Sequence, residues 1–270
     1  MSASDGLPAR RVGPWSKGKL DYIGRYLGLF STAMRQKFPI RHYVDLFAGP
    51  GRCVVDDGSG QCDGSPILAL GVKFPFTVYH FVEKDGRAMA ALQERVRREY
   101  RDLERSVRFY PGDANAEAEK ISSCIPQSAL SVVVADPTGL QLAFESLRML
   151  AGGARRADLI YLFPEGMSIK RNEREFLKKE KSKLDAAMGS RDWRGVQGIK
   201  VMQFRKELET LGYKAFTGSV VEGEPSFKNR KGVMLYYLVY ASKHDRGYDF
   251  WRKVRLAVEK REPDLFRGAA

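Results

Sequence analysis

At 270 residues, with 43% hydrophobic and 11% aromatic side chains, the chain has the composition of a globular protein, which excludes wholesale disorder. Its 46 Lys and Arg against 33 Asp and Glu leave a formal charge of +13, which favours a polyanionic partner such as nucleic acid; a basic solubilising surface is the competing reading. Three cysteines (Cys53, Cys62, Cys124) with no C-x-x-C or Cys/His spacing imply neither a disulfide scaffold nor a zinc site; reduced thiols are expected, with a Cys53–Cys62 link as the alternative.

Residues 1–14 are polar, Gly/Pro-rich and without an apolar signal core, and are expected to be loose. No apolar run approaches the ~20 residues of a membrane span, so a soluble, cytoplasmic protein is expected. Leu20, Ile23, Leu27, Phe30 and Met34 recur at helical spacing and mark an amphipathic helix over about 15–37. Apolar runs at 42–47, 77–82, 107–110, 130–135, 158–163, 213–221 and 232–242 then alternate with helical patterns at 66–73, 85–104, 114–122 and 141–150. The alternation predicts βαβ units and a mostly parallel sheet, with runs such as "SVVVA" covered on both faces. Two helices, near 171–188 and 199–211, occupy a stretch where one crossover would do, and a last helix is expected near 247–261. One α/β domain over 1–270, with a helical basic insertion over about 165–211 after the fifth strand, is the predicted organisation. The last two strands are predicted to be antiparallel neighbours joined by the polar loop "EGEPSFKNRKG".

The first run ends in Asp45-Leu-Phe-Ala-Gly-Pro-Gly51. Ligands of open α/β sheets bind beside this turn, at the carboxyl ends of the strands. A dinucleotide site would run G-x-G-x-x-G straight into a helix that faces a pyrophosphate. Here there is only G-P-G, with an acid four residues before Gly49 that suits an ammonium or sulfonium and not a phosphate. S-adenosylmethionine (SAM) meets that description, with Asp45, Phe47, Ala48, Gly49, Pro50 and Gly51 forming its seat. The same spacing disfavours a nicotinamide-dependent oxidoreductase. Ser65-Pro66 reads as the N-cap and N1 of the next helix, whose free N–H groups would seat a carboxylate. Residues 52–64 would then form a flap over the cofactor, or else a plain surface loop. Glu83 and Asp85 close the second strand, where an acid accepts ribose hydroxyls. Asp113 and Ala114 follow the third, where the carboxylate would accept the adenine amino group. Each of these acids is equally a helix N-cap.

The fourth strand ends "VVVADPTGL". Asp136 would lie beside the transferable methyl and accept hydrogen bonds from a target amino group. The competing reading is a type I turn at Asp-Pro-Thr-Gly. Amino-methyltransferases of nucleic acids carry an aromatic after this motif that stacks on a flipped base; here Thr138-Gly139 stands instead, leaving Phe144, Tyr161 or Phe163 to supply a ring. His42 and His80 read as core residues, and Lys243-His244 as a pair that could reach the substrate side. No metal is expected. From 168 to 206 there are 12 Lys and Arg against 5 Asp and Glu, a net of +7. Arg171, Arg174, Lys178, Lys181, Arg191 and Arg194 around Trp193 suit phosphate contact with base stacking, and Lys228, Arg230 and Lys231 add a second basic loop. A solvated helix face with Trp193 packed beneath it is the alternative.

Together the segments "YVDLFAGPG", "GSPILAL", "FVEKD", "GDAN", "DPTGL", "DLIYLFPEG", "RN" at 171–172 and "YYLVYASKHDRGYDFW", with 15–20, resemble class I SAM-dependent methyltransferases and, more narrowly, the three-Cys-motif partner protein (TcmP) family. The resemblance implies a Rossmann-like, seven-stranded sheet whose last strand inserts antiparallel, and a cofactor site at Asp45, Gly49, Gly51, Glu83 and Asp113. It also implies a radical-SAM-like protein partner that bears the three cysteines of the name. The expected activity is SAM-dependent methylation of nucleic acid or of a nucleic-acid-associated partner. The alternative is a module of the same fold that binds nucleic acid or scaffolds the partner without methyl transfer.

Overall fold

The computed structural model describes residues 1–215 and 224–260. The chain opens with a short strand, β1 (Arg10–Val12), and a 20-residue helix, α1 (Trp15–Met34). Apolar residues repeat every three or four positions along α1, so Ile23, Tyr26, Leu27 and Phe30 fall on one side and are buried. Next come β2 (Arg41–Asp45), the hairpin strands β3 (Arg52–Val55) and β4 (Gln61–Asp63), and the six-residue helix α2 (Ser65–Leu70). Strands and helices then alternate: β5 (Val78–Glu83), α3 (Gly86–Glu99), β6 (Val107–Pro111), α4 (Ala114–Cys124), β7 (Leu130–Ala135), α5 (Phe144–Ala151) and β8 (Arg156–Phe163). A single π-helical turn, Glu165–Ile169, leads into α6 (Lys170–Lys178), α7 (Lys183–Met188) and α8 (Val201–Glu209). The described part ends with β9 (Ser226–Lys228), β10 (Met234–Ala241) and α9 (Asp245–Glu259).

Seven strands form one sheet in the order β6-β5-β2-β7-β8-β10-β9. All pair in parallel except β10, which runs antiparallel to both β8 and β9. This is the expected Rossmann-like sheet with an antiparallel final strand. Both faces are covered, which is why the central strands are apolar at every position. On one face, α1, α2, α3 and α9 pack through Tyr26, Phe30, Leu92 and Trp251 onto Tyr43, Phe81 and Tyr240. On the other, α4, α5, α7 and α8 bring Leu147, Met188 and Phe204 onto Val133, Tyr161 and Phe163.

Four expectations change. Residues 1–14 are not loose: β1 pairs in parallel with β3, and Asp5 binds the buried Arg95 and Arg52, each at 2.7 Å. Residues 52–64 are not a plain loop, because β3 and β4 pair around the Gly58–Gly60 turn and join β1 in a second, three-stranded sheet. The helix expected over 171–188 breaks after Lys178, because Ser182 and Asp185 form a reciprocal capping box that starts α7 afresh. Finally, β9 lies inside the stretch read as a polar loop, 213–215 are not strand, and the remainder of the expected strand, 216–221, lies outside the described residues, as does the last residue of the helix expected to reach 261.

Candidate functional site

The sheet order reverses between β2 and β7: the chain leaves β2 toward β5 and β6 on one side, and later builds β7 and β8 on the other. Neither crossover covers the gap at the strands' carboxyl ends, so a crevice opens there. The turn after Asp45 and the segment after Ala135 flank it.

The turn is fastened from three directions. Leu46 N–H donates to the Val134 carbonyl (3.0 Å), Ala48 N–H to that of Val82 (2.9 Å), and Gly49 N–H to Glu83 Oε2 (2.8 Å). Gly49 and Gly51 have φ of 62° and 90°, the left-handed region open to glycine. A Cβ on Gly51 would stand 3.0 Å from Leu92 and 3.1 Å from Ile67, so this residue is fixed by space as well. Beneath the turn sits Asp45, wholly buried, accepting Tyr43 O–H at 2.9 Å and Phe47 N–H at 3.2 Å. Burial raises its pKa to about 6, against hydrogen bonds from Ser65, Tyr43 and Phe47 that hold it down.

Two cavities meet over this turn. The larger, about 690 Å³, is edged by Glu83, Asp85, Asp113 and Ala114 and closed by Pro8–Arg10 of the N-terminal segment. The smaller, about 190 Å³, is lined by Trp15, Lys19, Ala48, Ser65, Met167 and Tyr236 among others. Arg10, Phe47, Gly49, Pro50, Asp136 and Thr138 line both. Gly51 faces the smaller, and Asp45 lines neither. Asp45 would therefore act on a ligand through the turn it supports, not by direct contact.

The acidic residues have local work too. Glu83 accepts Gly49 N–H and, through Oε1, Asp85 N–H at 2.8 Å; each carboxylate oxygen keeps a second lone pair for a ligand. Asp85 caps α3, accepting from Arg87 and Ala88, and Asp113 caps α4, accepting from Asn115 and standing 3.7 Å from Lys84. For these two the cap and a place on the cavity wall hold together. Ser65 is the first residue of α2, not its cap; Gly64 takes the cap position, and Ser65 instead lends its hydroxyl to Asp45. Cys53 and Cys62 face each other across the β3–β4 hairpin as free thiols. Their mutual hydrogen bond pushes Cys53 up and Cys62 down.

Asp136 stands at the junction of the cavities. No hydrogen-bonded turn forms over 136–139, and Thr138 N–H donates to Gln141 Oε1 at 3.0 Å. Nor is the carboxylate unpaired: Lys19, from α1, binds its Oδ2, and the two side chains are 10% and 17% exposed. Lys19 and Tyr236 are the residues that sequence reading missed. The available signal was a lysine on the apolar stripe of α1, four residues before Ile23.

The basic residues divide. Trp193 is fully buried, its Nε1 donating to Asp185 at 2.8 Å. Arg194 pairs with the same carboxylate at 2.7 Å and donates to the carbonyls of Leu177 and Lys179. Trp193 therefore has no free ring for a base and, with Arg194, serves the packing of α7; the alternative of a packed tryptophan is the correct one. Arg171, Arg174, Lys178, Lys181 and Arg191 are exposed, as are Lys228, Arg230 and Lys231. The two groups share one rim. The antiparallel course of β10 brings Met234 beside the end of β8, and the π-turn passes so close that a Cβ on Gly166 would lie 1.8 Å from the Met234 carbonyl oxygen. Lys243 and His244, in contrast, lie at the opposite end of the sheet, beside Leu130 and Arg156, and cannot reach the crevice. Phe144, Tyr161 and Phe163 are buried in the core and present no free ring. Among the described residues no group of His, Cys, Asp and Glu could hold a metal ion, and no helix is long and apolar enough to cross a membrane.

No protein-family model matches the sequence, and no curated protein matches it, so the TcmP resemblance rests on the segments quoted above. Solved structures of similar fold include protein LPL1258 from Legionella pneumophila, at 10% identity over 88% of this chain and 89% of that one (TM-score 0.49). A candidate O-methyltransferase from Klebsiella pneumoniae matches at 13% over 88% and 84% (TM-score 0.44). TYW2 from P. horikoshii, solved with MeSAdo, matches at 15% over 77% and 59% (TM-score 0.38). At such identities and scores they add nothing to the reading of the site.

Proposed function

We propose that this chain is a SAM-dependent methyltransferase whose acceptor is carried by a nucleic acid. One observation carries the reading: an acid-edged cavity and a smaller cavity join at Phe47 and Asp136, where the sheet order reverses. The residues fit this cofactor. Glu83 and Asp113 offer carboxylates to ribose hydroxyls and an adenine amino group, Phe47 and Ala114 offer apolar surface, and the glycine turn admits close approach without a phosphate cradle. When bound, SAM supplies an electrophilic methyl on a sulfonium centre. The chain's own residues do the rest: the turn orients the donor, and Lys19, Asp136 and Tyr236 line the space where an acceptor would meet it. Support for a nucleic-acid acceptor comes from the exposed cations on the same rim, Arg171, Arg174, Lys178, Lys228, Arg230 and Lys231 among them.

Calorimetry with SAM and with its demethylated product tests the cofactor, and transfer of labelled methyl into fractionated DNA, RNA and protein tests the acceptor. Binding of both compounds, with label in a nucleic-acid fraction, is expected. Absence of binding would remove the reading; label confined to protein would remove the nucleic acid.

A further inference from the structure

The smaller cavity holds chemistry that the cofactor does not explain. The Lys19 ammonium enters it from α1, and among the described residues Asp136 is its one hydrogen-bond partner. Tyr236, from β10, also lines it; the residue is 4% exposed, yet its hydroxyl has no hydrogen-bond partner. The ammonium lies 5.8 Å from the centre of the Tyr236 ring, so the two side chains are neighbours in the cavity lining. Trp15, Leu162 and Met167 add apolar walls, while Arg10 and Arg11 add positive charge.

An unpartnered buried hydroxyl is costly, and a ligand atom that reached it from the cavity would complete its bonding. We propose that this atom is an oxygen: Lys19 and Tyr236 hold a hydroxyl acceptor, and the methyl is transferred to oxygen and not to an amine. The proposal rests on the methyltransferase reading above and deepens it. Donors predominate among the charged groups that line the cavity, an ammonium and two guanidinium groups against the one carboxylate of Asp136, and donors match oxygen lone pairs. Its carboxylate already holds the ammonium through Oδ2, leaving Oδ1 to receive a proton. An amine would become cationic on methylation beside Lys19. An oxygen loses its proton there with the ammonium stabilising the charge that develops. In the balanced step the acceptor's O–H proton passes to Asp136, its oxygen lone pair forms the new C–O bond, and the electron pair of the broken C–S bond stays on the departing thioether.

The test uses the whole chain with two matched probes, 4-nitrophenol and 4-nitroaniline, titrated spectrophotometrically with and without the demethylated cofactor. Nitrophenol is expected to bind as its anion, with its acid dissociation moved about one pH unit lower, while nitroaniline neither binds nor competes. Lys19→Met should abolish the shift, and Tyr236→Phe, which keeps the ring packing, should weaken binding about tenfold. Melting curves of both variants check the fold. Equal binding of the aniline, indifference to Lys19→Met, or binding of neither probe overturns the proposal. Calorimetry on the same samples separates the two readings: nitrophenolate bound without any cofactor affinity would leave the oxygen site standing and remove methyl transfer.

Discussion

Asp45 carries its charge at a cost. A carboxylate whose pKa rises on folding destabilises the fold above that pKa, and the penalty disappears as pH falls from about 6 toward its ordinary 3.8. A gap of that size corresponds to about 3 kcal/mol at neutral pH. Asp45→Asn removes the charge but keeps an acceptor for Phe47 N–H, so its melting temperature at pH 7 should rise by several degrees and converge with wild type near pH 4. Cofactor affinity should fall at the same time, as expected of a residue kept for function. Unchanged affinity, measured by calorimetry, would reduce Asp45 to a scaffold of the turn. The histidines have the opposite sign. His42 Nδ1 meets His80 Nε2 at 3.0 Å, and His80 Nδ1 meets Tyr110 Oη at 2.9 Å. Burial lowers their pKa values to about 4 and about 3. A histidine depressed on folding leaves stability intact above 6.5 and removes it as pH falls below, here by roughly 2 kcal/mol per ring at pH 5. His80→Gln, which cannot charge, should flatten that acid limb in pH-dependent melting; an unaltered limb would mean that the pair does not set it. Both roles were only half legible in the sequence. An acid before G-P-G announces a site, but whether it touches the ligand or braces the turn depends on Tyr43 and Ser65, which only the fold brings to it.

At the scale of elements, the alternation of strands and helices was readable because strands covered on both faces must be apolar at every position. The exceptions have physical causes. Strands of three or four residues, such as β1, β4 and β9, are too short for a period to declare itself, and their pairing comes from neighbours remote in sequence. The insertion misled for another reason: basic residues around a tryptophan look alike whether they bind phosphate or brace a core. Here Ser182-x-x-Asp185 was the clue, since a capping box places Asp185 where Trp193 and Arg194 find it. The elements consequently divide by expected response. No residue of α6 is buried, so reversing Arg171, Arg174 and Lys178 to Glu should leave stability within about 0.5 kcal/mol. The same change should weaken nucleic-acid binding and flatten its dependence on salt. Trp193→Ala should instead cost about 3–5 kcal/mol in denaturant unfolding. An unaltered salt slope in the triple variant would make α6 a solvated surface and nothing more.

Across the whole molecule, the feature that composition hid is a clasp. Asp5 ties the N-terminal segment to Arg95, whose guanidinium is fully buried and also donates to the carbonyls of Leu7, Pro8 and Pro50. One side chain thus links the segment that closes the larger cavity to the glycine turn that floors it. The hydrogen bond from Arg95, the largest influence, holds Asp5 well below the usual carboxylate range, so the pair's stabilisation is present above about pH 4 and lost as pH falls further. Asp5→Ala leaves the buried guanidinium short of its anion and should cost about 3–5 kcal/mol. The exposed Asp249–Arg252 pair provides the control, because Asp249→Ala should cost under about 1 kcal/mol. Stability alone does not separate a clasp from an ordinary ion pair, but ligand linkage does. At 100 times its Kd, a ligand that binds only the folded state stabilises it by about 2.7 kcal/mol whatever the starting stability. If Asp5 only holds the fold together, the variant should gain the same increment from the demethylated cofactor at the same concentration. If the clasp also shapes the site, Kd itself rises, the increment shrinks, and dissociation measured by stopped flow quickens while association changes less. The Arg95 bond to Pro50 predicts the second outcome, and equal increments in the two proteins would sever the N-terminal segment from the site.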